Sequence, residues 1–145
     1  MAKITLIVFL LFINITWTFA QSKDALAGKW LTASGDAQVL IYPAKGKFSG
    51  KIVWLKNPND SSGKLETDDK NPDKTLAKRP LMGLEMLNGF TYADDGVWEG
   101  GTIYDPKTGK SYSCKISMVN PNQLHVRGFV GISLLGRTET WSRVR

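Results

Sequence analysis

The strongest constraint on this chain is a one-for-one alternation of apolar and polar residues. Tyr112, Cys114, Ile116 and Met118 fall on one side, and Ser111, Ser113, Lys115 and Ser117 on the other. A strand turns successive side chains to opposite faces, so this pattern predicts a strand with one buried face. The same spacing sets Phe48, Gly50, Ile52 and Trp54 against Lys47, Ser49, Lys51 and Val53. It also sets Leu124, Val126 and Val130 against His125, Arg127 and Phe129. No stretch after residue 20 holds an apolar stripe at helical spacing.

Turn residues punctuate the alternation. Ser34-Gly35-Asp36, Pro43-Ala44-Lys45-Gly46, Asp94-Asp95-Gly96, Asp105-Pro106-Lys107-Thr108-Gly109 and Asn120-Pro121-Asn122 each offer residues suited to chain reversal. The expected strands are 28–33, 37–42, 47–55, 84–92, 97–104, 110–118, 123–130 and 137–144. The fold class is therefore all-β, an eight-stranded antiparallel up-and-down barrel, with a two-sheet sandwich as the alternative. A barrel of this size is filled by its own side chains or holds one small ligand. One connection is long: Lys56 to Pro80, with balanced charge, is expected at a barrel mouth as a lid or docking surface.

The chain opens with Met1-Ala2-Lys3, an apolar run from Ile4 to Ile13, and Thr18-Phe19-Ala20 before Gln21. This reads as a secretory signal peptide over 1–20 cleaved after Ala20. Asn14, Thr16 and Thr18 break the ~20-residue apolar span that a membrane anchor needs. The expectation is a periplasmic or secreted protein, not integral to the membrane after cleavage, with one domain over 21–145. With 22% charged residues and no long polar run, a disordered chain is not expected. One cysteine, Cys114, and one histidine, His125, rule out a disulfide framework and argue against multi-cysteine or histidine-rich metal centres. Cys114 is expected as a small buried hydrophobe.

No catalytic constellation is readable. Asp69-Lys70-Asn71-Pro72-Asp73 opens like a calcium loop, but Lys74 and Pro80 stand where glycine and glutamate belong. His125 alternates opposite Leu124 and Val126 and so points to solvent. Gly131-Ile132-Ser133-Leu134-Leu135 lacks the second glycine of a nucleophile elbow. Glu85 and Glu99 lie on separate strands, and phosphate-binding glycine motifs are absent. No metal, no cofactor and no enzyme activity are expected.

Charge is uneven along the chain. Residues 110–145 carry Lys110, Lys115, Arg127, Arg137, Arg143 and Arg145 against Glu139 alone. Nucleic acid is the usual partner of such a sector, but export points instead to an anionic ligand or an anionic envelope component. Trp30, Trp54, Trp98 and Trp141 all lie on expected strands, where large aromatics build small cores. Trp141 shares its face with Arg137, Glu139 and Arg143. Either an arginine–aromatic stack lies inside the barrel, or that strand shows a polar face to solvent.

Gly28-Lys29-Trp30 on the first strand, with arginines on the last, resembles the signature of the calycins, the lipocalins and fatty-acid-binding proteins. The resemblance implies that Gly28 and Trp30 close one barrel end with a late arginine, Arg137 or Arg143, packed across the ring. A longer match runs through Arg79-Pro80-Leu81-Met82-Gly83-Leu84, Trp98-Glu99-Gly100-Gly101-Thr102-Ile103-Tyr104-Asp105-Pro106 and Thr108-Gly109-Lys110-Ser111-Tyr112-Ser113-Cys114-Lys115. It continues through Leu124-His125-Val126-Arg127-Gly128-Phe129-Val130-Gly131 and Leu135-Gly136-Arg137-Thr138-Glu139-Thr140-Trp141. These segments identify the chain as similar to the bacterial domain-of-unknown-function 2147 family of exported proteins, which carries no established activity. Some relatives bear cysteines in the long loop; this chain has none there.

The functional expectation is a barrel that binds a small hydrophobic or amphipathic molecule. Phe48, Trp54, Tyr112 and Trp141 are expected to form its wall, and Arg127 or Arg137 to meet an anionic head group. Gly28, Trp30 and Arg143 are the expected structural closure. The alternative is an envelope interaction protein with a filled barrel, acting through loop 56–80 and the basic C-terminal strands.

Overall fold

The computed structural model describes residues 22–145; the signal peptide read at 1–20 lies outside the described residues. A 3-10 turn, Lys23–Leu26, leads into β1 (Gly28–Leu31), β2 (Ala37–Ala44), β3 (Lys47–Leu55) and β4 (Glu85–Asp94). Then follow β5 (Val97–Asp105), β6 (Lys110–Asn120), β7 (Gln123–Phe129), a short 3-10 turn (Ser133–Leu135) and β8 (Gly136–Arg143). Each strand pairs antiparallel with its sequence neighbours, and β8 returns to β1 to close the cylinder. The sandwich alternative is thereby excluded.

Local chemistry explains the meander. Lys45-Gly46 and Asp95-Gly96 both hold positive φ, the two-residue hairpin geometry whose twist matches that of the strands. The closing seam is short: β1 meets β8 only as Trp30 opposite Arg143 and Leu31 opposite Ser142. The remainder of β8 is paired through β7 alone, from Phe129 opposite Gly136 to Leu124 opposite Trp141. The meander puts the first 3-10 turn and the hairpins at 45–46, 95–96 and 121–122 at one end, here called the base. The connections 32–36, 56–84, 106–109 and 130–135 lie at the other end, the mouth.

The core is the barrel interior. Trp30, Trp98, Trp141, Phe90, Leu87, Ile116 and Leu124 are fully buried, and Leu26 of the 3-10 turn plugs the base beneath them. The Tyr92 and Trp98 rings meet at 5.1 Å between centroids. Space for these rings comes from small residues opposite them. A Cβ on Gly101 would stand 2.6 Å from the Phe90 ring, and one on Gly50 would stand 3.0 Å from Leu87 and Val39. Cys114 is buried in the same cluster, as its alternation requires.

Two placements differ from the sequence expectation. Trp54 does not share a face with Phe48 and Ile52, because β3 carries an extra residue against β2. Val39 faces Ile52 while Gln38 faces Trp54, so Val53 bulges and every later side chain reverses its direction. Trp54 consequently stands outside the wall, 40% exposed. Val130 likewise escapes its expected face, since β7 ends at Phe129 and Val130 begins the mouth connection, exposed.

Candidate functional site

The base is sealed by one stacked pair. Arg143 lies with its guanidinium carbon 4.1 Å from the Trp30 ring centroid. Its nitrogens donate to the carbonyls of Ala25 at 2.7 Å, Ala27 at 3.1 Å and Pro121 at 2.7 Å. A cation over an indole face and three carbonyl acceptors use both the planarity and the fork of arginine. A Cβ on Gly28, at φ 134°, would stand 2.7 Å from an Arg143 nitrogen, so the close approach needs glycine. Between the two late arginines the structure selects Arg143; Arg137 sits at the opposite end of β8.

Three tryptophans fill the interior, and their indole N–H groups differ. Trp30 donates to the Leu26 carbonyl at 2.9 Å and Trp98 to the Lys23 carbonyl at 3.1 Å, both on the plug turn. Trp141 is buried, and its Nε1 has no acceptor among the described residues. It lies opposite Leu124, which in turn faces Met118. A buried donor without a partner costs about 1–3 kcal/mol, so this N–H marks a position where the interior favours an added acceptor.

Toward the mouth the interior becomes polar. Register places Ile103 opposite Tyr112, Gly128 opposite Arg137, and Val126 opposite Glu139. Ile103 and Tyr112 pack against Gly128, where a Cβ would meet them at the ordinary contact distances of 3.5 and 3.6 Å. Glu139 is half-buried, and Arg137, almost fully exposed at the rim, approaches it at 3.6 Å. The inward faces of β5 to β8 thus grade from the indole base through Tyr112 and Ile103 to a charged rim.

The expected binding residues separate accordingly. Phe48 and Trp141 are buried in the interior, and Tyr112 is half-buried on the same wall. Arg137 stands at the rim, and Trp54 is outside. Arg127 is also outside, on the face opposite Val126, where Nε donates to the Ser133 carbonyl at 2.7 Å and NH1 to Thr138 Oγ1 at 2.8 Å. It braces the mouth connection rather than facing a ligand. His125 is exposed on the outer wall between Ser117 and Thr140, as its alternation indicates.

Loop 56–80 packs against the outer wall beside the mouth. It starts there, with Lys56 donating to the Asp36 carbonyl, then folds back along the outer wall. Fully buried Asp68 accepts from Tyr104 Oη at 2.5 Å, Arg79 Nε at 2.9 Å and Asn71 Nδ2 at 2.9 Å. Tyr104 follows inward Ile103 and so projects outward, which draws the loop to that side. Gly109, at φ 72°, lets the loop press in; a Cβ there would collide with the Lys70 carbonyl oxygen. Burial, the hydrogen bond to Asp68 and its charge push the Tyr104 phenol up to about 12. An open groove of about 320 Å³ runs between this loop and β4 to β6, and another of about 430 Å³ lies by Asn122 and Arg143 at the base.

Sequence reasoning set Glu139 on the face of Trp141 but left out Asp68 as an anchor. Glu139 was legible from its two-residue spacing to Trp141. Asp68 was not, since nothing local distinguishes it from Asp69 or Asp73.

A closed eight-stranded meander with a tryptophan–arginine base defines a lipocalin-like barrel. The chain belongs to the family described as uncharacterized proteins conserved in bacteria, DUF2147, whose family model matches residues 28–143. Among solved structures it is similar to protein HP1028 from the human pathogen Helicobacter pylori, described as belonging to the lipocalin family. The TM-score is 0.72 at 21% identity over 83% of each chain. That likeness is one of fold. No curated protein matches the chain.

Proposed function

We propose that this protein is an exported carrier that binds one small amphipathic molecule inside its barrel, from the rim down to Trp141. The observation that carries the reading is the Trp141 indole N–H, buried among apolar neighbours with no acceptor among the described residues. Its two neighbours in kind, Trp30 and Trp98, are both satisfied. An acceptor on the ligand completes the third. Ile103 and Tyr112 supply apolar wall, and Arg137 at the rim offers a cation to an anionic head group, with Glu139 beside it setting the selectivity. Export rests on the leader read at residues 1–20.

The test uses 8-anilino-1-naphthalenesulfonate, an apolar anion whose emission rises on burial. Saturable binding is expected, weakened about tenfold by Trp141→Phe, which removes the donor and keeps an aromatic ring. Equal affinity in the two proteins sinks the role of Trp141. Native mass spectrometry of protein recovered from its own host is expected to show a bound small molecule; a ligand-free mass together with no saturable dye binding overturns the carrier reading.

A further inference from the structure

The connection between β7 and β8 is the most apolar exposed part of the described chain. Val130, Ile132, Leu134 and Leu135 are between 58% and 85% exposed, within six consecutive residues at the mouth. Lone exposed aliphatics are ordinary, but four on one tip are not. The tip is also internally braced. Ile132 N donates to the Val130 carbonyl, Leu135 N to the Ile132 carbonyl, both at 3.0 Å, and Arg127 caps the Ser133 carbonyl. The side chains are therefore held outward by a turn that already satisfies part of its backbone, as insertion into an apolar phase requires.

Charge identifies the occupant. Residues 128–138 contain no acid, and Arg137 stands two residues past the tip. Arg127 stands across β8 from Thr138 and across β6 from Lys115, so a cationic band borders the apolar tip on the outer wall. Apolar side chains that project beside arginines and lysines match an anionic bilayer surface, where the former enter the acyl boundary and the latter meet head groups. A second copy docking through the same tip would set Arg127 and Arg137 of both chains together, a like-charge contact.

We infer that the Val130–Leu135 tip is a membrane-docking element that seats the barrel mouth on anionic phospholipid. The inference stands apart from the carrier reading, because it needs no ligand inside the barrel. Residues 22–145 hold all eight strands and the whole core, and serve as the test protein. In co-sedimentation they are expected to bind mixed phosphatidylcholine–phosphatidylglycerol vesicles about tenfold more tightly than pure phosphatidylcholine vesicles. Leu134→Asn with Leu135→Asn is expected to lower that binding at least about tenfold, since even half-burial of two leucines exceeds that factor. Arg137→Gln is expected to lower it about threefold to fivefold. The thermal midpoint and the binding of 8-anilino-1-naphthalenesulfonate stay unchanged in the double variant, which separates this test from that of the carrier. Equal binding to both vesicle types, or equal binding by the double variant, overturns the inference. So does a concentration-dependent dimer that the double variant dissolves while vesicle binding is absent, which assigns the tip to self-association.

Discussion

Arg143 stacks its guanidinium 4.1 Å from the centre of the Trp30 ring while it binds three backbone carbonyls from two other segments. The pair joins the last strand to the first at the seam where pairing is shortest, and it ties both to the plug turn. Trp30→Ala is expected to cost ~3–5 kcal/mol in urea unfolding, the usual range for a buried aromatic truncated in a core. A loss under ~1 kcal/mol would place the ring outside the core.

Arg143→Lys tests the second half of that relationship. One ammonium cannot lie flat on the indole and reach the Ala25, Ala27 and Pro121 carbonyls together. A cost of about 1–2 kcal/mol is expected, allowing for the partial exposure of the site. A lysine variant as stable as the parent would show that position and charge alone suffice.

The Tyr104–Asp68 contact gives the long loop a dependence on alkaline pH. Burial first, then the Asp68 hydrogen bond and charge, raise the phenol from an ordinary 10 to about 12. The folded state thus favours the protonated phenol. Its contribution is complete below pH ~10 and declines as pH rises toward about 12. Tyr104→Phe should abolish that alkaline step and hasten tryptic cleavage after Lys70, Lys74 and Lys78, while the barrel itself persists. Unchanged cleavage at neutral pH would mean that Asp68 and Arg79 hold the loop without Tyr104.

Cys114 is expected to be inert in the folded protein. Burial pushes its thiol up to about 12, so at pH 8 there is neither thiolate nor access. A disulfide reagent at that pH should label it only at the rate of unfolding; prompt labelling would contradict its placement in the core.

Gly101→Ala probes the packing of β4 on β5. The added methyl would meet the Phe90 ring at 2.6 Å, inside any contact distance, and Phe90 is itself fully buried. Overpacking of this kind costs about 1–3 kcal/mol, readable as a lowered urea midpoint.

Much of this architecture was present in local chemistry. The alternation through Tyr112, Cys114, Ile116 and Met118 sets the inward face of β6, and Gly28-Lys29-Trp30 sets the base of the barrel. Both are legible because a strand has period two and because a glycine at positive φ beside an aromatic is a local demand. The resemblance drawn from the sequence is matched by the family model and by the lipocalin-like neighbour.

Tertiary structure alone decided the rest. Trp54 left the interior because of one extra residue at Val53, and a bulge depends on how two strands register. Loop 56–80 packs on the outer wall of β5 because Asp68 found Tyr104, thirty-six positions away in the chain. Arg143 rather than Arg137 reached Trp30 because closure of the cylinder brought that end of β8 to β1. The amino-acid order thus determined which residues form strands and which face of most of them is greasy, since those choices are made by neighbours in the chain. Partners across the barrel, and the direction of side chains after a bulge, were set only when the sheet closed, because contacts between distant segments carry no local signature.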